Sequence, residues 1–526
     1  MQSIVTPLES VLTGYTRKIR VKVRASWLKV ADLATVYAIV GSSLVDGPNL
    51  VQGQSTVITN SDLFAYIDES AHAMRIDYDR KIDEPRGGTF HAIADVLLDN
   101  ISGRFTPMNN ATIGTALEAR RPFKVSIGFD AGGVDRMTQI IVGLTANRPR
   151  VSRSGGQVEI QVYDYITFID NANLEAAIYE DMRTDQILED ILVSLGFGSS
   201  QYVLDVGINT IPFAWFDKDK RAGVRIRELC ESEEARFYQD ENGILRFENR
   251  NHWANYPYQT PVRTIDSADI INDEDDNSTR IINRAIVIAK PRKVDASPSV
   301  VWTLTDQPAI APGQTITIWA AFFDAEAGNE KLPISEITTP ASTTDYTGNT
   351  VVDGSGTNRT ASISISVTNF VESAKIQITN NHGSDTVYLT LMQLRGKAAR
   401  GGPQAIQAVV ENANSINKFE AQEYTVKNDL IQDRLIAETI ANNLVNKYKD
   451  PMSRRIISIP GIPHLQLGDL LNVINPRPRN LIQNPSFEVS TEFWSVVTTG
   501  SVVGPLTRSR DVAVEDGFFA GKMSIS

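Results

Sequence analysis

The sequence is poor in the residues that build covalent or metal-stapled folds. Its 526 residues include one cysteine and five histidines. An intramolecular disulfide and a four-cysteine zinc site are therefore excluded. The histidines are far apart in the chain, so no local His-x-x-x-His pair exists. We predict no cofactor and no local metal site.

An excess of positive charge is also missing. The chain has 51 Lys and Arg residues against 63 Asp and Glu residues, a net charge of −12. A nucleic-acid-binding protein needs a basic surface to neutralise phosphates, so this balance argues against that class, although not against a channel that DNA crosses without binding. No apolar run approaches the ~18 residues of a membrane span. The N-terminus lacks the basic and apolar segments of a signal peptide. We predict neither a membrane span nor standard export.

Local catalytic signatures are missing as well. The sequence has no Gly-x-Ser-x-Gly elbow, no His-Glu-x-x-His and no phosphate loop. Cys230 falls on the inward stripe of a short amphipathic segment, which favours a core cysteine over a nucleophile. The acidic run 273–277 fails as a calcium loop, because Ser278 and Arg284 stand where such a loop needs Gly and Glu. We favour a solvated turn there, and the alternative is an irregular cation site. We predict a protein without enzymatic activity, although carboxylates paired from distant segments stay possible.

What the sequence has in abundance is strict alternation of apolar and polar residues. Runs at 18–24, 74–78, 94–98, 125–129 and 158–162 have the period of two that is typical of strands with one buried face. Turn-forming residues separate these runs. Residues 1–175 are therefore predicted to form one antiparallel β domain, either a barrel or a sandwich.

The pattern changes to helix and hairpin over residues 176–293. Thr184 is expected to cap a helix that Gly196 ends. A second helix is predicted at Val224–Glu234, followed by a β-hairpin of 236–239 and 244–247. This segment is predicted to be an α+β subdomain.

Three further segments follow. Residues 294–396 are rich in Thr, Ser, Asp and Asn and alternate without a helical stripe, which favours an inserted β-sandwich of immunoglobulin-like size. Residues 397–478 combine a helix at about 429–449 with further strands. Residues 479–526 begin a new pattern that is too short for a β-sandwich, so we expect the sequence to stop inside a larger domain. The fold class is thus mainly β with an α+β subdomain, in several domains.

Two surface features have two interpretations each. The alternating cations of strand 18–24 form either a solvated outer face or a contact stripe for an acidic neighbouring subunit. The aromatic residues Trp253, Tyr256 and Tyr258 either pack a loop over the hairpin, which we favour, or form an exposed binding platform.

Four segments together resemble the tail-hub family of long-tailed bacteriophages, the tail-tip or baseplate hub proteins. The first is 94–107, with Asp99, Asn100, Gly103 and Arg104 in a strand-then-turn signature. The others are the strand pair 143–164, the helix and hairpin 225–243, and the segment 448–471 with Gly468 and Asp469. The family fold implied is a set of hub-type β-barrels, here with the inserted β-sandwich. The segment from Asn480 resembles the opening of a carbohydrate-binding-module-like jelly roll, in which Trp494 would be either a sugar contact or, as we favour, a core residue.

The resemblance implies a structural virion protein at the tip of a phage tail. Hubs of this family form homotrimers whose barrels make a ring of six, matching the six-fold tail tube to a three-fold tip. The implied partners are the chain itself, the distal tail protein, the tape-measure protein, other tail-tip proteins, and a host cell-surface receptor or glycan reached through the C-terminal segment. DNA would cross the lumen without specific binding. Two alternatives remain open: the hub region of a tail-associated cell-wall hydrolase, and a carbohydrate-binding protein.

Overall fold

The computed structural model describes most of the chain, in two compact units. The described residues are 19–27, 66–80, 88–106, 113, 117–131, 133–152, 154, 156–254, 258–266, 269–276, 280–324, 330–401, 405–451, 454–474, 506–509 and 520–523. The first unit comprises Met1–Thr260, Asn277–Arg454 and Ile462–Asp469, and the second comprises Pro261–Asp276, Arg455–Gly461 and Leu470–Ser526.

The N-terminal part of the first unit is an eight-stranded sheet wrapped around one core. Its strands are β1 (Ile19–Ala25), β2 (Ile67–Asp68), β3 (Ala73–Arg80), β5 (Ala92–Asp99), β6 (Pro122–Ala131), β7 (Val134–Thr145), β8 (Arg150–Val151) and β9 (Gln157–Tyr163). They run in the order β2-β1-β6-β7-β9-β5-β3, and β8 pairs with β9. Alternate residues point inward, so that Val23, Val96, Val125 and Ile160 share one buried cluster. Within the described residues, β2 and β3 are the ends of this sheet.

The α+β part has a core of its own built from helices and short strands. It contains β4 (Gly88–Thr89), α1 (Tyr165–Ile169), β10 (Ala177–Arg183), α2 (Thr184–Ser194), β11 (Tyr202–Leu204), β12 (Thr210–Phe216), α3 (Ala222–Glu233), β13 (Arg236–Gln239) and β14 (Leu245–Glu248). One sheet has the order β11-β14-β13-β4, and β10 pairs with β12. The apolar faces of all three helices bury into one cluster with Phe237 and Phe247 of the hairpin.

Two sheets packed face to face form the inserted sandwich. The longest strand, β28 (Val387–Gly401), pairs with β18 (Arg292–Val294), β19 (Ser299–Thr303), β20 (Ala309–Ile310), β24 (Ile334–Ile337) and β25 (Tyr346–Asn349). The opposite sheet has the order β21 (Thr315–Ala321), β27 (Ser373–Asn380), β26 (Ile363–Asn369). A short hairpin, β22 (Phe323–Asp324) and β23 (Glu330–Lys331), lies between β21 and β24 in the sequence. Residues of both sheets share one buried cluster.

A third sheet carries the long helix. Strand β17 (Arg284–Ala289) lies between β29 (Ile406–Glu411) and β30 (Glu423–Lys427), with α4 (Ala413–Phe419) in the connection. Helix α5 (Arg434–Tyr448) buries one stripe against this sheet. The second unit consists of strand pairs: β15 (Arg263–Ile265) with β32 (Leu471–Val473), β16 (Asn272–Asp276) with β31 (Arg454–Ser458), and β33 (Leu506–Ser509) with β34 (Ala520–Met523).

The structure confirms the mainly β fold and corrects two helix ends. Thr184 is the first residue of α2 and not its cap, because its hydroxyl donates to the buried carboxylate of Glu233 while Arg183 holds the cap position. Helix α5 begins at Arg434 rather than near 429. The Asp433 side chain accepts hydrogen bonds from the amides of Leu435 and Ile436 (2.7 and 3.2 Å), which fixes the start there.

Candidate functional site

The signature turn after β5 is built by its own side chains. Buried Asn100 accepts a hydrogen bond from the Phe105 amide through Oδ1 (2.7 Å) and donates one from Nδ2 to Thr106 Oγ1 (3.0 Å). Asp99 Oδ1 accepts from the Ile101 amide (3.1 Å). Gly103 has a φ of 72°, a left-handed conformation that favours glycine. The residue types of the signature thus specify a tight turn.

Arg104 connects this turn to a buried carboxylate. Its Nε and Nη2 donate to the two oxygens of Glu69 (2.9 and 2.8 Å). Glu69 is buried and also accepts from the indole Nε1 of Trp27 (2.9 Å). The Trp27 ring packs edge-on against Phe105 and Phe123, with centroids 6.2 Å apart in both pairs. We call Glu69, Arg104 and Trp27 the Glu69 clamp, which ties the turn to the start of the sheet.

Gly468 and Asp469 lie in a separate turn. Asp469 Oδ2 accepts from the amide of Gln466 (2.9 Å). Gly468 has a φ of 88°, and a Cβ there would come within 1.8 Å of the Trp253 ring. Only glycine allows this close approach of backbone and indole. Trp494 lies outside the described residues.

A polar pocket of about 330 Å³ lies beside this second turn. It is formed where the end of β3, the β13–β14 hairpin, the segment after it and the Gln466 turn meet. Its lining combines cations, carboxylates and aromatic rings: Arg80, Tyr238, Asp240, Glu241, Asn242, Arg246, Glu248, His252, Trp253, Tyr258, Gln466, Leu467 and Asp469.

His252 lies between two carboxylates in the pocket. Its Nδ1 lies 2.7 Å from Asp205 Oδ2, and its Nε2 lies 3.5 Å from Glu248 Oε1. The Tyr238 hydroxyl donates to the same Glu248 oxygen (2.5 Å). Burial opposes the charged imidazolium, but the bond to Asp205 and the negative charges of Glu248 and Asp205 outweigh it, so the pKa of His252 is raised. The two carboxylates therefore stabilise the protonated form of His252 relative to a free histidine.

The aromatic residues pack against the hairpin, as the favoured interpretation predicts. Trp253 lies under the guanidinium of Arg236 in β13, 5.5 Å from it, and 5.1 Å from the Tyr258 ring. His252 stacks on Tyr258 with centroids 4.3 Å apart. Tyr256 lies outside the described residues. The rings of His252, Trp253 and Tyr258 also line the pocket, so they pack against the hairpin on one side and face the pocket on the other.

Carboxylates gather on the outward face of β3, β5 and β9. The strand registers place Asp77 across from Asp95, and Asp79 across from Ile93. In the next strand, Glu159 lies across from Leu97 on the same face. Arg75 shares this face and pairs with Asp77 (2.7 Å). The face is predominantly acidic.

The cationic stripe of β1 is partly neutralised by its own chain. Arg20 bonds to Asp135 (2.8 Å) and Asp130 (3.2 Å). The charges of Lys22 and Arg24 help to lower the pKa of Asp68, after the hydrogen bonds from Ser70. These contacts favour the interpretation of β1 as a solvated face.

Other predicted residues have structural surroundings. Cys230 is buried in the α+β core, where burial raises the pKa of the thiol, which confirms its assignment as a core cysteine. Among the described residues, no cluster of three or more His, Cys, Asp or Glu side chains is arranged to hold a metal ion. Within the same residues, no helix has the length and hydrophobicity to cross a membrane.

Comparison with known proteins gives structural similarities only. No protein-family model matches the chain, and no curated protein matches it significantly. A tail protein from Neisseria meningitidis MC58 is 10% identical with a TM-score of 0.32, covering 51% of this chain and 64% of that one. The 43 kDa tail protein of prophage MuSo2 from Shewanella oneidensis is 11% identical with a TM-score of 0.30, covering 52% and 67%.

A third similar structure is the c3393 protein of E. coli, a type VI secretion component with structural similarity to T4 bacteriophage tail proteins. It is 10% identical with a TM-score of 0.22, covering 61% of this chain and 77% of that one. The chain thus spans less than two thirds of the Neisseria protein. At identities near 10% and TM-scores below 0.5, these similarities define no shared family.

Proposed function

We propose that this chain is a structural subunit of a bacteriophage tail, and that it forms the homotrimeric hub at the distal tip. In this role it adapts the six-fold tube to a three-fold tip, contacts the distal tail and tape-measure proteins, and opens or closes the path of the DNA. The signature segments in their order along the chain support this proposal, and the edge strand β3 carries it.

Strand β3 is eight residues long and pairs only with β5 among the described residues. Among the described residues no strand pairs with its other edge, so the backbone N–H and C=O groups on that edge are available to water or another chain. At the opposite end of the described sheet, β2 pairs with Arg24 and Ala25 of β1, and the Glu69 amide and the Ser70 hydroxyl bond to the backbone of Val23. Within the described residues the sheet has two incompletely paired ends, so β3 of one subunit can pair with β1 of the next, and repeated head-to-tail pairing closes a ring.

The acidic face next to this edge agrees with a channel wall. Asp77, Asp79, Asp95 and Glu159 lie on it, with Arg75 as a cation paired to Asp77. Carboxylates at a lumen repel passing phosphates and so reduce adhesion of DNA to the wall. We therefore propose that this face turns toward the channel.

Light scattering on the full chain tests the trimer. The wild type should have three times the 58.0 kDa subunit mass. Met74 lies at the bulge of β3 and is 54% exposed, so Met74→Lys should place a charge in the contact and shift the mass toward the monomer. The matched control is Ile101→Lys, because Ile101 is 84% exposed in the signature turn and outside the edge.

Two results would contradict the proposal. One is a monodisperse wild-type monomer at micromolar concentration. The other is cryo-EM density of the virion that places this chain away from the tail axis.

A further inference from the structure

The outer face of the three-stranded sheet in the inserted sandwich is a regular grid of side chains. Strand registers align Trp319 with Lys375 and Thr368, and Thr317 with Gln377 and Ser366. The full face comprises Thr315, Thr317, Trp319, Ala321, Ser364, Ser366, Thr368, Phe370, Ser373, Lys375, Gln377 and Thr379. The residues between them, such as Ile376 and Ile378, point into the core.

Two aromatic rings stand on this face with their area open to solvent. Trp319 is 59% exposed and Phe370 is 39% exposed. Their centroids are 5.6 Å apart and their planes are tilted by 33°. Trp319 is the one exposed tryptophan among the described residues, whereas Trp27 is fully buried in the core of the N-terminal sheet. A large exposed aromatic pair without a described partner indicates an interaction surface.

The charge on the face narrows the class of partner. Eight of the twelve residues carry a neutral hydroxyl or amide, Lys375 is the one cation, and none is acidic, although the chain as a whole has a net charge of −12. A single cation cannot neutralise a nucleic-acid backbone. An apolar partner would strip water from eight polar groups without replacing their hydrogen bonds.

We propose that this face binds a neutral saccharide chain. Sugar C–H groups pack on the negatively polarised face of an aromatic ring. Sugar hydroxyls both donate and accept hydrogen bonds, as do the Ser, Thr and Gln side chains along the three strands. The Trp319–Phe370 pair supplies the stacking platform, and Gln377 with its hydroxyl neighbours supplies the polar contacts. The proposal goes beyond the hub function and uses none of the residues of the β3 edge.

A glycan microarray of neutral and acidic bacterial surface oligosaccharides, probed with the full chain, tests the proposal. Calorimetry then measures the affinity for the best neutral glycan. Trp319→Ala should weaken binding by roughly tenfold, and Gln377→Ala should weaken it as well. The matched control is Val300→Ala, which removes exposed apolar area (51% exposed) from the opposite sheet of the same sandwich and should change the affinity by less than about twofold. Because these side chains are exposed, thermal unfolding of the variants should match the wild type.

Three outcomes would overturn the proposal. The first is that no neutral glycan binds, or that only acidic glycans bind with an affinity that falls as salt rises. The second is that Trp319→Ala binds as tightly as Val300→Ala. The third is that Trp319→Ala changes the self-association of the chain in sedimentation velocity, which would make the face a protein interface. A trimer measured for Trp319→Ala would keep the hub proposal intact whatever the array shows.

Discussion

Removing the guanidinium of the Glu69 clamp should loosen the N-terminal sheet at a defined place. In Arg104→Ala, Glu69 loses both charge-assisted hydrogen bonds, of 2.9 and 2.8 Å, and keeps only the bond from Trp27. The carboxylate is 1% exposed, so water does not replace the lost partner without opening the structure.

The loss of stability expected for Arg104→Ala depends on how deeply Glu69 and Arg104 are buried. Breaking a fully buried ion pair costs about 3–5 kcal/mol, because one charge is left uncompensated. The side chain of Arg104 is 28% exposed, which screens the interaction, and the Trp27 bond remains. We therefore expect a loss of about 2 kcal/mol. Glu69→Gln in the Arg104→Ala background should recover part of it, because the amide oxygen still accepts from Trp27 and carries no charge.

Hydrogen-exchange mass spectrometry is the appropriate assay, because a multidomain chain does not unfold in one two-state step. Peptides over β1 and the signature turn should exchange roughly 30-fold faster in Arg104→Ala. The control is Arg148→Ala, which removes a comparable Arg–Glu pair with Glu118 whose side chains are 68% and 40% exposed. Because solvent screens an exposed pair, this variant should exchange at close to the wild-type rate. Equal exchange in the two variants would refute the claim that the buried carboxylate makes the difference.

Two further predictions concern the pocket. Gly468→Ala should displace the Trp253 indole and change its fluorescence. The control is Gly133→Ala, which has a similar positive φ but no neighbour near the added Cβ, and which should cost only about 1 kcal/mol of backbone strain. Identical effects of the two variants on the fluorescence would rule out the steric argument. Because the pKa of His252 is raised in the folded state, its stabilising contribution is present below its unfolded pKa of about 6.5 and is lost as pH rises through the folded value. Asp205→Asn should lower the pKa of His252 in an NMR titration, and an unchanged midpoint would show that this carboxylate does not hold the proton.

Local pattern was enough to predict the elements. Alternation at 94–98 and 158–162 corresponds to β5 and β9, which pair residue for residue. The stripe of α5 buries Ala437, Ile440 and Leu444 as its spacing predicts. These features depend on neighbours in the chain, and the hydrophobic period encodes them directly.

The polar interior could not be predicted in the same way. Glu69 and Trp27 are 42 residues apart in sequence, and nothing local pairs them. Arg225 was harder still to predict as buried, because a charged residue on a helix is ordinarily expected to face solvent. It is 1% exposed and donates to the carbonyls of Leu174, Glu175, Asp217 and Lys220. The one feature of the sequence that pointed to burial of Arg225 is its position four residues before Leu229, which places both side chains on the same inward face of the helix.

The distribution of charge separates the two surfaces that the proposals use. Acidic residues outnumber basic ones by twelve. Asp77, Asp79, Asp95 and Glu159 lie on the outward face of β3, β5 and β9. The sandwich face around Trp319 has no acidic residue. An acidic wall repels phosphates over about a Debye length, whereas a neutral face acts only at contact, through stacking and hydrogen bonds. Under the two proposals, a single chain lets a polyanion pass at one surface and holds a neutral polymer at the other, because the two interactions differ in range and in dependence on salt.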